Sequence, residues 1–533
     1  MKKRLLSVFL CLCMVFGLVP ATVWAETTNG HTHYLCGGST CNGSGHENET
    51  YKTTFEKEIK QEGNTLKIGD KSWAPTKVSN NTFYILPAGT YYLGSDISPE
   101  YTIKIENNVT LCLNGHKITA ADGMDAIYMT GGSFTLTDCK GIGTITHASS
   151  KTGRGVYVSS GTFNMYGGSI TGNRATGDGG GVYKSGSNSS FNMYGGSITG
   201  NTANSYGGGV YVDGGGFTMS GGTIGGTKTG ETNTATYGGG GVYAKANFEM
   251  TGGSITGNNA AYGGGVYTVN EFKMSGGSIT GNNAYKSDYI STFGGGVCVG
   301  SGIFTVSGEV TVTDNTKGGT KGADGKFTGD TKNNVYLPTG KNITIGTDKL
   351  SEGAQLGVTL DEYYGDKAFT SGWNAKMSGK SPADYFISDV GGKGFELSGE
   401  EVKLCDGHAH YLCGGSTCNS SGHAAESSKT TFAKEIKQVS GTLYIDNIEW
   451  TVSTYGNYTL PAGAYYLSTD LTPDYMIQTN GSVTLCLNGH SITANHDGDV
   501  IAANSGVTFT LTDCKGGNSN AASGKITHAS GKD

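Results

Sequence analysis

Arginine is almost missing from this chain and occurs only at Arg4, Arg154 and Arg174. Basic residues number 37 against 44 acidic ones, for a formal charge of −7. A chain this acidic, with so few guanidinium groups, is a poor partner for nucleic acid. Charged residues make up only 15% of the whole, which excludes the highly charged composition of a disordered acidic chain. After the first two dozen residues no apolar run is long enough to span a bilayer. Helical stretches are lacking too, because the apolar runs are short and broken by glycine, the poorest helix former after proline.

What is there in excess is glycine, 91 residues of 533, which is roughly 17% against an ordinary share of about 7%. Most of it falls in one repeated sentence. GVYVSSGTFNMYGGSITGN begins at Gly155, GVYKSGSNSSFNMYGGSITGN at Gly181, GVYVDGGGFTMSGGTIGG at Gly209, GVYAKANFEMTGGSITGN at Gly241 and GVYTVNEFKMSGGSITGN at Gly265. A looser sixth copy, GVCVGSGIFTVSGEVTVTDN, begins at Gly296. The valines at Val156, Val182, Val210, Val242, Val266 and Val297 are separated by steps of 26, 28, 32, 24 and 31 residues. A period of this size, with the variation confined to linkers, marks a solenoid.

Within a unit, apolar and small polar residues alternate, as in Phe272-Lys273-Met274, and a Gly276-Gly277 corner leads to Ile279. Period two means strands with one buried face, and glycine suits corners because it accepts positive φ. One turn cannot bury its inner face alone, whereas stacked turns can. Stacking predicts ladders: Phe163, Phe191, Phe217, Phe248, Phe272 and Phe304; Met165, Met193, Met219, Met250 and Met274; Ile170, Ile198, Ile224, Ile255 and Ile279. A polar ladder of Asn173, Asn201, Asn258, Asn282 and Asn315 is expected at a corner, amide bonded to amide. The fold class expected is all-β, a right-handed parallel β-helix. The GGSITGN and GGGVY repeats resemble β-helix repeats of secreted and surface proteins of Firmicutes. More distantly they are similar to pectate-lyase-like solenoids and to the GG-A-I repeats of chlamydial surface proteins. The resemblance implies architecture and leaves activity open.

Along the chain, residues 1–25 read as a secretion signal: Lys2, Lys3 and Arg4, an apolar run from Leu5, and Val23-Trp24-Ala25 as the cleavage site. Its removal would take three positive charges, and the charge would go from −7 to −10. Residues 26–50 form a small Cys/His module, and 51–102 a β-rich cap with one helical turn expected near Phe55–Lys60. The β-helix is expected over 103–339, about nine rungs or roughly 43 Å of stack at about 4.8 Å each. Residues 340–400 lack the double-glycine corner and are expected to cap the open end.

A duplication follows. HTHYLCGGSTCNGSGH at His31 recurs as HAHYLCGGSTCNSSGH at His408, LPAGTYYL at Leu86 as LPAGAYYL at Leu460, and FTLTDCKG at Phe134 as FTLTDCKG at Phe509. Residues 401–428 are thus a second Cys/His module and 429–533 the start of a second β-helix. The second copy stops where the first reaches its GVY units, so a longer tandem protein is expected.

Candidate chemistry is sparse. His31, His33, Cys36, Cys41 and His46 place five potential ligands in sixteen residues, and His408, His410, Cys413, Cys418 and His423 repeat them. Two thiolates and two imidazoles suit a tetrahedral structural zinc. A Cys36–Cys41 disulfide is the other reading, and both stay open. Cys112 and Cys139 lie one rung apart, as do Cys486 and Cys514. A disulfide and a buried thiol ladder are both compatible with that spacing. Tyr157, Tyr183, Tyr211, Tyr243 and Tyr267 follow the repeat valines and should point outward where those point in. Such a stripe would offer rings to sugars, or would stack on itself and shield the sheet. A second aromatic set, Tyr206, Tyr237, Tyr262 and Phe293, precedes the glycines. Asp178 takes that aromatic position in one linker, and with Arg154 and Arg174 it is the one candidate catalytic cluster. Asn114-Gly115-His116 and Asn488-Gly489-His490 are read as turns.

The functional expectation is a secreted, cell-surface, adhesin-like scaffold of a Gram-positive bacterium. It would act as a monomer without a transmembrane segment, contacting glycans or surface proteins through a repetitive face, with avidity from repetition. A polysaccharide lyase or glycoside hydrolase is the alternative, and a passive stalk the third reading.

Overall fold

The computed structural model describes residues 31–34, 52–285, 292–321, 327–328, 331–364, 367–378, 380, 382–390, 393–406, 409–411, 429–432, 434–445, 448–513 and 524–532. The chain divides into two compact units, Met1–Tyr364 with Thr370–Gly379, and Gly365–Phe369 with Lys380–Asp533. The expected signal at 1–25 lies outside the described residues.

The first unit is built mainly of short parallel strands paired with their equivalents one repeat on, with antiparallel pairs such as Lys57–Glu62 with Thr65–Ile68 and Thr316–Lys317 with Thr331–Lys332 beside them. In the GVY column the pairing runs Tyr84, Ile103, Ile127, Val156, Val182, Val210, Val242, Val266, Val297, Val335, Val358. Parallel pairing therefore continues beyond both ends of the expected 103–339 span, to the strands Asn81–Leu86 and Gln355–Leu360. A second column aligns Phe134, Phe163, Phe191, Phe217, Phe248, Phe272 and Phe304. A third aligns Ile118, Ile145, Ile170, Ile198, Ile224, Ile255, Ile279 and Val312. Two-residue strands such as Arg174–Ala175 and Thr202–Ala203 add a fourth. All-β content with parallel stacking of this length is compatible with a solenoid.

The interior is what the period-two pattern implies. The phenylalanine rings stack from Phe163 through Phe272 at 4.6–4.8 Å between centroids and within 10° of parallel. The repeat valines are fully buried, and the methionines and isoleucines of the ladders are buried beside the rings. The corners need glycine through close approach as well as through φ. A Cβ on Gly208 would stand 2.6 Å from the carbonyl oxygen of Gly240 in the next repeat.

The asparagine ladder forms and is longer than its sequence pattern. Each side-chain amide nitrogen donates to the next Oδ1, in the order Asn173, Asn201, Asn233, Asn258, Asn282, Asn315 and Asn334, at 2.9–3.0 Å. Asn233 and Asn334 were not expected members. Asn233 follows the longest linker, so the spacing to its repeat motif is irregular.

One expectation fails. The segment near Phe55–Lys60 is not helical: Lys52–Phe55 and Lys57–Glu62 are strands. Ile59 is buried there, and Lys57–Ile59 pairs in parallel with Tyr91–Leu93, so the sheet overrides local propensity. Tyr237 does not share the column of Tyr206, Tyr262 and Phe293. Gly238 occupies it, because its linker is one residue out of register.

Of the expected cap, 340–364 and the short helix Trp373–Met377 belong to the first unit, with Trp373 and Met377 buried. In the second unit the duplicated sequence repeats the local structure. Trp73 Nε1 donates to the Ile85 carbonyl at 3.0 Å, and Trp450 Nε1 to that of Thr459 at 2.9 Å. Lys434–Ile436 pairs in parallel with Tyr465–Leu467, as Lys57–Ile59 does with Tyr91–Leu93. The Asn-Gly-His segments are turns in both copies: Asn114 and Asn488 have φ of 51° and 52°, and the following glycines 77° and 80°.

Candidate functional site

Alternation turns the residue after each repeat valine away from the core. Tyr128, Tyr157, Tyr183, Tyr211, Tyr243 and Tyr267 make a continuous column there, Cys298 takes the next place, and Tyr336 resumes it. All five expected stripe residues are thus brought together, and the structure adds Tyr128 and Tyr336.

The rings pack on one another. Tyr211 and Tyr243 stack at 5.0 Å with 1° between planes, and Tyr183–Tyr211 and Tyr243–Tyr267 stack at 5.2 and 5.3 Å. Tyr157 meets Tyr183 edge-on at 5.1 Å. The corner aromatic Tyr206 lies 4.6 Å from Tyr243. Ring faces inside the column are therefore covered by neighbouring rings. Tyr211 is 7% exposed, whereas Tyr157, Tyr183, Tyr243 and Tyr267 are half-buried. Burial pushes the phenols of Tyr183, Tyr211 and Tyr243 up, that of Tyr243 to about 12, with Asp178 and Asp213 adding to the effect. The carboxylate of Asp213 is paired with Lys245 at 2.6 Å.

One end of the column carries charge. The Arg154 guanidinium lies 4.5 Å over the ring of Tyr183 and 5.5 Å over that of Tyr157. Its Nε donates to the backbone carbonyl of Asp178 at 2.9 Å, and Nη1 lies 3.6 Å from Asp125 Oδ1. Burial raises the carboxyl pKa of Asp125, and Arg154 works against that rise. Asp178 is adjacent through its main chain, while its Oδ1 accepts from the Tyr206 amide at 3.1 Å. Arg174 is exposed and touches this region through its backbone, which bridges to Gly153. So Arg154 and Asp178 converge, Arg174 does not join them with its side chain, and Asp125 is a partner the sequence pattern did not reveal. It lies 29 residues before Arg154, a separation that only the stacking register makes meaningful. A cavity of about 80 Å³ opens beside the pair, lined by Gly123, Asp125, Thr152, Gly153, Arg154, Ala175 and Thr176. That is smaller than the roughly 300–1,000 Å³ usual for a small-molecule site.

The backbones of His31 and His33 lie in the strand His31–Tyr34, paired antiparallel with Lys52–Phe55; His410 lies in Ala409–Tyr411, paired with Lys429–Thr431. The side chains of these histidines, and Cys36, Cys41, His46, His408, Cys413, Cys418 and His423, lie outside the described residues. Among the described residues no group of three or more His, Cys, Asp or Glu is placed to hold a metal ion. Among them, too, no helix is long and apolar enough to cross a membrane. No family model, no curated protein and no solved structure matches the chain.

Proposed function

We propose that the chain is an exported surface scaffold, a right-handed parallel β-helix whose tyrosine column contacts glycans or surface proteins. The observation that carries this reading is the unbroken column from Tyr128 to Tyr267, one phenol per repeat, with Arg154, Asp178 and Asp213 along it. Because the rings cover one another, the contact is made by hydroxyls and ring edges, with the flanking carboxylates as acceptors for sugar hydroxyls. Each contact is weak, and repetition along the stack multiplies them. In each Cys/His module a structural zinc or a disulfide would staple a segment too short to hold itself together.

The test is a glycan array with the exported chain beside a Tyr183→Phe/Tyr211→Phe/Tyr243→Phe variant, which keeps the stack and removes the hydroxyls. Binding that the variant loses supports the reading. Absence of binding to any glycan removes the carbohydrate version and leaves a protein-directed surface or a stalk. An enzymatic reading would place its chemistry at Asp125 and Arg154, and polysaccharide cleavage abolished by Asp125→Asn would favour it over a scaffold.

A further inference from the structure

The sulfurs of Cys112 and Cys139 lie 3.6 Å apart on adjacent turns of the stack. Cys112 ends the strand Val109–Cys112, where it is fully buried; its strand partner is Thr137, and Cys139 follows two residues later, half-buried. The loop that carries Cys139 is held closely. Asp138 Oδ1 accepts from the Gly115 amide at 2.7 Å and Oδ2 from that of Gly143 at 2.6 Å. The Cys139 thiol donates to Asn114 Oδ1 at 3.5 Å, and Asn114 Nδ2 donates to the Leu93 carbonyl at 2.9 Å. The same frame recurs in the second unit: Asn488 Nδ2 donates to Leu467 at 2.9 Å, the Gly489 amide to Asp513 Oδ1 at 2.8 Å, and Cys486 is buried at the equivalent strand end.

We propose that Cys112 and Cys139 form an oxidisable dithiol that closes into a disulfide and ties two successive turns near the start of the stack. Closure from 3.6 Å to a bond needs a shift of about 1.5 Å, within reach of side-chain rotation between neighbouring strands. The oxidant is a disulfide-bearing compound. The more accessible sulfur, Cys139, as thiolate, attacks one sulfur of the oxidant, releases its other half as a thiol and forms a mixed disulfide. The Cys112 thiol then loses its proton and attacks the Cys139 sulfur, expelling the second thiol. Two thiols are oxidised and one disulfide is reduced to two thiols, so electrons and protons balance. The cross-link closes a loop containing the strands Lys117–Ala120 and Ile127–Thr137, near the end of the stack where a repeat array opens first.

The experiment treats the purified full chain with oxidised glutathione, alkylates it under denaturing conditions without reductant, and maps tryptic peptides. Ile105–Lys117 and Ile118–Lys140 each hold one of the two cysteines and no other. The expected product is these two peptides joined and lighter by two hydrogens, together with a thermal midpoint that dithiothreitol lowers further in the native chain than in Cys139→Ala. Cys112→Ala is the second variant, since either substitution must abolish the joined peptide. Both peptides recovered singly alkylated, a glutathione adduct persisting on Cys139, or either cysteine joined elsewhere would overturn the proposal. So would a joined peptide whose reduction shifts the native chain and Cys139→Ala equally.

Discussion

His147 closes the acceptor end of the asparagine ladder: its Nδ1 lies 2.8 Å from Asn173 Oδ1, and its Nε2 lies 2.8 Å from the Met124 carbonyl. The ladder has a direction, since every amide nitrogen points toward the next repeat and leaves one Oδ1 facing backward at Asn173. Donors inside the ladder have a second acceptor in the isoleucine carbonyl of the preceding repeat, as Asn258 Nδ2 has in Ile224 at 2.9 Å. Asn258→Ala should therefore cost roughly 1–3 kcal/mol, because it strands buried partners on both sides. On the outer surface Asn192 Nδ2 also donates to Asn164 at 2.9 Å, but water can replace that bond. Asn192→Ala should cost about 0.5 kcal/mol or less. Urea midpoints of the two variants decide it, and equal losses would show that burial does not set the strength of the ladder.

Lys184 is fully buried at a position held by Val158, Val212, Ala244, Thr268 and Val299 in other repeats. Its ammonium is met by the carbonyls of Gly186 and Gly214. Burial pushes its pKa down from the usual 10.5 to about 8. The unfolded chain thus holds this proton to higher pH than the folded one, and the contribution of Lys184 to stability rises as pH increases from about 8 to about 10.5. Lys184→Met should stabilise the chain by about 1 kcal/mol near neutral pH. The gain should shrink across that alkaline window. Denaturation profiles of constant separation at every pH would contradict the assignment.

Tyr243 titrates with the opposite sign. Tyr243 ionises in the folded chain at about 12, against 10.0 for the unperturbed phenol. Its contribution is fully present below pH 10 and is lost as pH climbs toward 12. Tyr243→Phe should leave neutral-pH stability within about 1 kcal/mol of the native value and make the alkaline loss shallower. Phenolate absorbance followed together with unfolding checks this. An unchanged alkaline slope in the variant would rule out Tyr243 as a contributor.

Glycines in the repeats divide into two kinds. Gly257 has φ +64°, and an added Cβ would stand 2.0 Å from the Gly226 carbonyl oxygen, whereas a Cβ on Gly216 meets nothing within 4 Å. Gly257→Ala should cost at least about 2 kcal/mol, through strain and displacement of the neighbouring turn. Gly216→Ser, which matches its strand partner Ser190, should be neutral or slightly stabilising. Thermal midpoints of the two variants should move in clearly different amounts.

Much of this architecture is legible in the chain because strand alternation and glycine corners are local requirements, repeated until no other arrangement buries the apolar side. Phe272 and Met274 must share a face, and a repeated motif pairs with its copies even though its steps vary from 24 to 32 residues. The duplicated Trp73 and Trp450 settings follow for the same reason, as like segments build like local contacts. Asn233 was not legible, because a longer linker hides its register until the turns are stacked. Nor was the pairing of Asp125 with Arg154, which depends on which residues of neighbouring turns come to lie side by side. The outward direction of the tyrosines follows from alternation along a strand. That Tyr211 and Tyr243 cover each other's faces is decided by the distance between turns, which brings aromatic rings to stacking separation and leaves hydroxyls and edges as the surface.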